Sequence, residues 1–492
     1  MDSNNLKQKA VSGVMWTSIQ RFSQIFVSFI SGIILSRLLE PEDYGCIGML
    51  SIFMIISATF IDGGFGSALI QKKKTTPDDY STVFFWNLGL SLLVYAVLFF
   101  CAPFIAQFYK IPLLRDVLRV QGLVLIINAL QTVQVNQLNK QFKFKKIAIT
   151  LTITSLVSFF TTAYLAYYGW GVWALVAQNI LLALIPTSVY WLTNKWYPKF
   201  VFSIKSFKEL FNFGFYMLLT TLVSNLANNI QGLLIGRIYN ASLMGFYSKA
   251  HSTELLASKT ISQVVTQVTY PLYAELQDSK KAIINAIKRI TSSIAFFVFP
   301  LMFILILIAR PIFILLYSEK WIESIPYFQM LCLAGLAICL QAANVQTIAA
   351  IGKSKVMFKW GLIKQIVGVT FIVIGLLLWG IKGLLIGMVM KSWLIYIVNA
   401  SLVSYHIGYK LRSQLLDLAP ILGVAIISYA VAYLFGRIIP CSMYVDAVVK
   451  LALFVALYVG IAKIMKMDAL NQSLDMVRPF IDKFTKNNKK QR

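Results

Sequence analysis

The sequence predicts an all-α, polytopic membrane protein with about fourteen transmembrane helices. Three observations predict it. The chain has 492 residues, of which 58% are apolar and only 13% charged, whereas soluble domains carry about a quarter charged residues. Apolar runs long enough to cross hydrocarbon recur from one end to the other. Basic residues crowd into every second loop between those runs. A net charge of +26 on a soluble chain would point to nucleic acid. No soluble fold covers this much apolar surface, so the charge needs a topological explanation and nucleic acid is excluded as a partner.

The runs fall at 13–36, 44–68, 82–108, 117–138, 147–168, 171–193, 209–236, 243–274, 289–317, 325–350, 357–379, 383–405, 417–438 and 445–465. The first follows a polar dozen residues that lack a small-residue cleavage signature, so it reads as a retained span and not a signal peptide. The eighth is the most polar. Pro186, Pro271 and Pro300 lie inside spans and are expected to kink them, with neighbouring helices meeting the freed carbonyls. The five cysteines form no CxxC pair and only His251 and His406 are present. No zinc, haem or disulfide framework is expected, and no cofactor beyond a coupling proton or sodium ion.

Loop charge sets the orientation. One set of alternate loops carries Lys72–Lys74, then Lys140, Lys143, Lys145 and Lys146, then Lys195, Lys199, Lys205 and Lys208. It continues with Lys280, Lys281, Lys288 and Arg289, then Lys353, Lys355 and Lys359, then Lys410 and Arg412. The opposite set holds only singles or pairs such as Lys110 with Arg115, Arg310 with Lys320, and Lys382. Positive-inside bias assigns the first set and both termini to the cytoplasm. An even number of spans is consistent with that. The segment 467–492 is expected to be a basic cytoplasmic tail near anionic headgroups.

The chain also repeats itself. Gly32-Ile-Ile-Leu-Ser-Arg37 matches Gly232-Leu-Leu-Ile-Gly-Arg237, and Gly45 matches Gly245 at the same offset. Pro103-Phe-Ile-Ala-Gln-Phe-Tyr109 matches Pro311-Ile-Phe-Ile-Leu-Leu-Tyr317, and Gly169-Trp-Gly matches Gly380-Ile-Lys-Gly. The matches keep their order. They divide the chain into a six-helix lobe at 1–205, a second at 206–410, two extra spans at 411–466 and the tail at 467–492. Duplicated halves are the usual build of secondary transporters.

Polar residues at membrane depth are the candidates for function. Thr17, Arg21, Gln24, Ser28 and Ser31 step by three or four residues along one face of the first span. Thr221, Ser224, Asn225, Asn228, Asn229 and Gln231 repeat the stripe in the seventh. Serine and threonine there serve equally as interhelical glue. Arg21 differs, because an arginine in hydrocarbon needs a wet cavity or a partner. Its planar fork of permanent donors suits a phosphate. Lys249, Lys259, Lys364 and Lys391 are further candidates for a cationic cavity, with snorkelling to an interface as the alternative. Asp62 and Glu254 are the few acids at depth and the candidates for binding a coupling proton or sodium ion. For Asp62 a salt bridge or a cap within a Gly-rich helix end is the competing role.

The runs Trp16-Thr-Ser-Ile-Gln-Arg21, Leu35-Ser-Arg-Leu-Leu-Glu-Pro-Glu-Asp-Tyr-Gly45 and Phe60-Ile-Asp-Gly-Gly-Phe-Gly-Ser-Ala-Leu-Ile-Gln71 resemble a known family. So do Ser81-Thr-Val-Phe-Phe-Trp-Asn87, Phe142-Lys-Phe-Lys-Lys146, Gly171-Val-Trp-Ala-Leu-Val-Ala-Gln178 and Glu319-Lys-Trp321. The chain is similar to Wzx-type lipopolysaccharide and exopolysaccharide flippases, the polysaccharide-transporter branch of the MOP superfamily, and within it to the colanic-acid-exporter-like group. The resemblance implies two six-helix lobes around a central cavity plus two extra helices in the bacterial cytoplasmic membrane. It implies transfer of an undecaprenyl-diphosphate-linked oligosaccharide to the outer leaflet by alternating access, with polysaccharide polymerase machinery as a further partner. On that reading Arg21, Lys249, Lys364 and Lys391 bind the pyrophosphate, and Gln24, Ser28, Asn225, Asn228 and Gln231 contact the sugars.

Two other readings compete. A multidrug or lipid II transporter of the same superfamily shares the fold, but a cation exporter should line its cavity with acids, which are outnumbered here. A membrane polymerase or glycosyltransferase needs long outward loops or acidic catalytic motifs. The longest outward loop here has about ten residues, well short of the dimensions of a folded site. The protein is therefore not expected to be an enzyme.

Overall fold

The computed structural model describes residues 3–72, 75–438 and 442–470. Lys73, Lys74, Cys441 and the basic tail from 471 onward lie outside the described residues. The described chain is helical almost throughout. Its elements are α1 (Ser3–Leu38), α2 (Pro41–Asp62), α3 (Phe65–Gln71), α4 (Pro77–Tyr109), α5 (Leu113–Lys140), α6 (Phe144–Tyr167), α7 (Val172–Thr193) and α8 (Ile204–Ile238). They continue with α9 (Ala241–Glu275), α10 (Lys280–Leu307), α11 (Ala309–Tyr317), a short 3-10 turn (Glu319–Trp321), α12 (Ser324–Ala350), α13 (Ser354–Ile407), α14 (Leu411–Ile438) and α15 (Met443–Ile464).

Local sequence explains the ends. Pro41 and Pro77 open α2 and α4, where a missing N–H costs nothing. Thr76 accepts from the Asp79 amide while the Asp79 carboxylate accepts from the Thr76 amide, a reciprocal cap. Pro186, Pro271 and Pro300 are carried inside continuous helices. At 1.5 Å per residue the 54 residues of α13 would span about 80 Å, far more than a bilayer. Non-helical dihedrals at Trp379 and Gly380 divide it into two arms, the boundary that the spans at 357–379 and 383–405 predict. Counting α13 twice, and joining α3 to α2 and α11 to α10, the described helices make fourteen rods. Among the described residues, ten helices are long and apolar enough to cross a membrane. α5, α8 and α9 are also of crossing length, at 28, 35 and 35 residues.

The chain forms two compact units, Met1–Ser248 and Lys249–Arg492. In the first, α4 packs on α5, α1 on α6, α2 on α8, and α7 on both α5 and α6. Phe65, Leu69, Val83, Phe84, Val133 and Leu210 form one of its cores. In the second, α12 packs on α13 and α10, and α14 on α10 and α15. Tyr273, Ile283, Ile287, Ile348, Leu402 and Val403 gather there.

The internal repeat is written in the backbone. Gly171 has φ 52° and ψ −130°, and Gly380 has φ 63° and ψ −143°. That region is open essentially to glycine alone, so Gly380 pairs with Gly171 and not with Gly169. Lys110 directly after Tyr109 and Ser318 directly after Tyr317 both take positive φ, 59° and 80°. Phe142 and Gly352, each at the turn into the next long helix, do the same at 55° and 72°. Within the first unit, a Cβ on Gly45 would strike the Ala241 carbonyl, and one on Gly245 the Pro41 carbonyl. The repeat-related helix starts thus approach backbone to backbone, which only glycine permits.

Candidate functional site

In the first unit, α2 ends at Asp62 and the chain turns through Gly63 and Gly64, both left-handed at φ 53° and 75°. The turn leads straight into α3, and a Cβ on Gly64 would collide with the backbone of Gly214 on α8. The Asp62 carboxylate accepts the amides of Gly64 and Gly66, so it does cap the Gly-rich turn. It also lines a cavity of about 350 Å³ with Thr59, Ser67, Thr221 and Asn225. Asn225 donates to the Thr59 hydroxyl at 2.8 Å, tying α8 to α2 across that cavity. Asp62 and Asn225, assigned different roles from sequence, therefore share one chamber. Thr59 and Ser67 were missed. Thr59 sits one helical step before Asp62 on the same face, a spacing that was legible.

The remaining candidates of this unit are dispersed. Arg21 and Ser28 are exposed on α1 and Gln24 is half-buried, with Gln20 donating to it at 3.5 Å. Asn228 is exposed on α8, while Gln231 is buried and its Oε1 has no hydrogen-bond partner among the described residues. None of these five lines the Asp62 chamber.

In the second unit Lys249 sits among aromatic rings and Lys364 beside an amide. Lys249 is buried, its ammonium 4.6 Å from the Tyr317 ring centroid and 5.2 Å from that of Trp321. Each such contact is worth roughly 2 kcal/mol when desolvated. Tyr317 is fixed in turn by Thr253, 3.1 Å away. Glu254, five residues on from Lys249 along α9, is buried against α12, where a Cβ on Gly335 would press on its Oε1. That oxygen has no hydrogen-bond partner among the described residues. Lys364 and Lys391 sit on opposite arms of α13. Lys364 donates to Asn399 at 2.6 Å, and the Lys391 stem lies over Gly368. Lys259 is exposed and His251 half-buried. No cluster of three or more metal-ligating side chains occurs among the described residues.

A polar network that sequence reasoning missed holds the first unit at its basic-loop end. Lys72 bridges Asp79 and Glu209 at 3.0 Å each, and Lys140 donates to the Lys72 carbonyl at 2.7 Å. Burial alone would lower the Lys72 ammonium. Its hydrogen bonds and the two negative charges outweigh that and hold it above the ordinary lysine range. Lys140 has its pKa lowered, chiefly by burial.

Residues 34–326 match the family described as "Polysaccharide biosynthesis protein". The chain is 26% identical over 358 residues to the teichuronic acid biosynthesis protein TuaB of Bacillus subtilis, covering 72% of this chain and 74% of that one. It is 22% identical to the succinoglycan biosynthesis transport protein ExoT of Rhizobium meliloti, covering 94% and 95%. Among solved structures, the lipid II flippase MurJ in an inward closed conformation superposes with a TM-score of 0.73 at 16% identity, covering 95% of this chain and 100% of that one. That likeness is one of fold.

Proposed function

The chain belongs to the polysaccharide biosynthesis protein family, and on that footing we propose that it is a membrane flippase for a lipid-linked oligosaccharide. The observation that carries this is the family match over residues 34–326, joined to a near full-length relative named as a transport protein and to the flippase fold. The chemistry agrees. Sugar hydroxyls and a diphosphate cannot cross hydrocarbon unaided, because every lost hydrogen bond to water costs several kcal/mol. A protein that moves them must hold polar and cationic groups at membrane depth, and this chain holds Arg21, Lys249, Lys364, Lys391 and the α8 amides there.

In this reading the cargo is an undecaprenyl-diphosphate-linked oligosaccharide, carried from the cytoplasmic to the outer leaflet of the inner membrane by alternating access of the two lobes. Both termini lie in the cytoplasm. Arg21, Lys249, Lys364 and Lys391 neutralise the diphosphate, and Gln24, Ser28, Asn225, Asn228 and Gln231 take the sugars. Asp62 and Glu254 carry the coupling cation or proton. The Asp62 chamber supports that assignment, since one carboxylate ringed by hydroxyl and amide oxygens suits a monovalent cation. A polymerase in the same membrane would receive the product, and the protein itself makes and breaks no covalent bond.

Deleting the gene should leave oligosaccharide on its polyprenyl carrier inside the cell, with no surface glycan, as read by lipid extraction and mass spectrometry. Complementation with Arg21→Ala should restore the protein to the membrane yet export roughly ten- to a hundredfold less glycan, the worth of one charge-assisted hydrogen-bond set. Full export by that variant would remove Arg21 from the site. Accumulation of lipid II instead would overturn the cargo assignment.

A further inference from the structure

The two arms of α13 meet backbone to backbone near the turn that joins them. A Cβ on Gly375 would collide with the Gly383 carbonyl, one on Gly383 with the Gly375 carbonyl, and one on Gly387 with the backbone of Phe371 and Ile372. Backbones therefore touch near the Trp379–Gly380 turn, as small residues allow between membrane helices. Toward the other end the second arm carries no glycine between Gly387 and Gly408. There the arms part around a groove of about 690 Å³ lined by Lys355, Val356, Lys359, Trp360, Val398, Ser401, Leu402, Tyr405 and His406. The volume falls inside the roughly 300–1,000 Å³ of ligand sites.

We propose that this groove binds one anionic phospholipid, its headgroup phosphate on Lys355 and Lys359 and an acyl chain along Val356, Val398 and Leu402. The chemistry is layered as a lipid is. Lys355 and Lys359 are exposed and lie four residues apart, so both ammonium groups project from one face of the first arm. Trp360 and the exposed Tyr405 flank them, amphipathic rings of the kind that sit at headgroup level. Below the rim, Val356 and Val398 pack on the core that contains Leu402. None of the lining residues is acidic. Asp417, farther along at the same end, is already engaged by Lys288 at 2.8 Å and by the Tyr409 hydroxyl at 2.5 Å. Loop charge assigns this end to the cytoplasmic leaflet, where anionic lipids attract clustered lysines. The inference needs only that the chain lies in a bilayer, so it stands or falls apart from the cargo reading.

Native mass spectrometry of the full chain in detergent tests it, with phosphatidylglycerol and phosphatidylcholine of identical acyl chains as probes. The expected result is a preference of roughly tenfold or more for phosphatidylglycerol, from two lysines at the surface. The double variant Lys355→Gln/Lys359→Gln should abolish that preference, and Lys355→Arg/Lys359→Arg should keep it. Lys280→Gln/Lys281→Gln, which removes the same charge elsewhere, should also keep it. Equal binding of both lipids by the parent chain overturns the proposal, as does a preference that survives the glutamine pair. Loss of preference in the Lys280/Lys281 control overturns it too, by reducing the effect to net charge. Displacement of phosphatidylglycerol by inorganic phosphate at matched concentration overturns the lipid as the source of the phosphate. The exposed positions keep folding intact, which an unchanged thermal midpoint verifies.

Discussion

Asp79 is wholly buried at the start of α4, and its charge is tolerable because Lys72 reaches its carboxylate at 3.0 Å and the Thr76 amide donates to it at 2.8 Å. Glu209, the other partner of Lys72, is 57% exposed. The two halves of the same bridge therefore differ in worth. Lys72→Ala strands a buried carboxylate and should cost about 2–3 kcal/mol, somewhat less than a fully enclosed pair because Lys72 itself keeps some solvent. Glu209→Gln should cost under about 1 kcal/mol. Denaturation in mixed micelles measures both, and equal costs would mean that Asp79 is not held by Lys72. Because the folded Lys72 ammonium is stabilised above its ordinary pKa, this contribution is fully present at neutral pH. It fades only as the pH climbs past the free lysine value and through the folded one. From sequence Lys72 reads as one topogenic loop lysine among many. Its partner Glu209 is 137 residues away, and no local pattern announces such a pairing. Lys249 was equally ambiguous between cavity and interface, and what decides its surroundings is the distant Tyr317 and Trp321. The Thr59–Asp62 step, by contrast, lies within one turn of one helix and was open to reading.

Helices are where local sequence is strongest, because a span must satisfy its own backbone and be about 20 apolar residues long. The fold into two arms at Trp379–Gly380 follows from length alone, since α13 is far too long for one crossing. What length does not give is how closely the arms approach. That resides in glycines whose worth depends on what faces them. Gly383→Ala should destabilise the protein by about 1–3 kcal/mol, because its methyl group meets the carbonyl of Gly375 on the opposite arm. Gly361→Ala on the same arm as Gly375 meets nothing within 4 Å and should be neutral or stabilising by about 0.5–1 kcal/mol. Thermal unfolding of the two variants side by side checks the contrast, and parallel losses would mean that helix flexibility and not arm contact sets stability. The polar helices α5, α8 and α9 mark the opposite limit. Hydropathy undervalues α5, whose buried Gln134 and Gln137 spend their polarity on Trp196 and Asn194 inside the protein.

At the scale of the whole chain two patterns outlast any one residue, the repeat and the alternation of loop charge. The repeat was visible as three weak motif pairs. The backbone supplies what letters cannot, the shared left-sided conformations at Gly171 and Gly380 and at the residues after Tyr109 and Tyr317. Side chains there have diverged while the dihedrals have not, because a turn constrains φ and ψ and leaves an outward side chain free. The charge alternation makes a prediction of its own. Counting rods along the chain, Lys143 follows the fourth and Lys281 the eighth, whereas Lys110 follows the third and Lys382 the eleventh. All four side chains are exposed, so each position can be changed without disturbing a core. In a chain freed of its five cysteines, Lys143→Cys and Lys281→Cys should react with a membrane-impermeant maleimide only in inside-out vesicles. Lys110→Cys and Lys382→Cys should react in intact spheroplasts. Labelling of both sets from one side would refute the alternation, and with it the count of rods. A clean exchange of the two sets would keep the rods and reverse the orientation, which would carry the lysine-lined groove between the α13 arms to the outer leaflet.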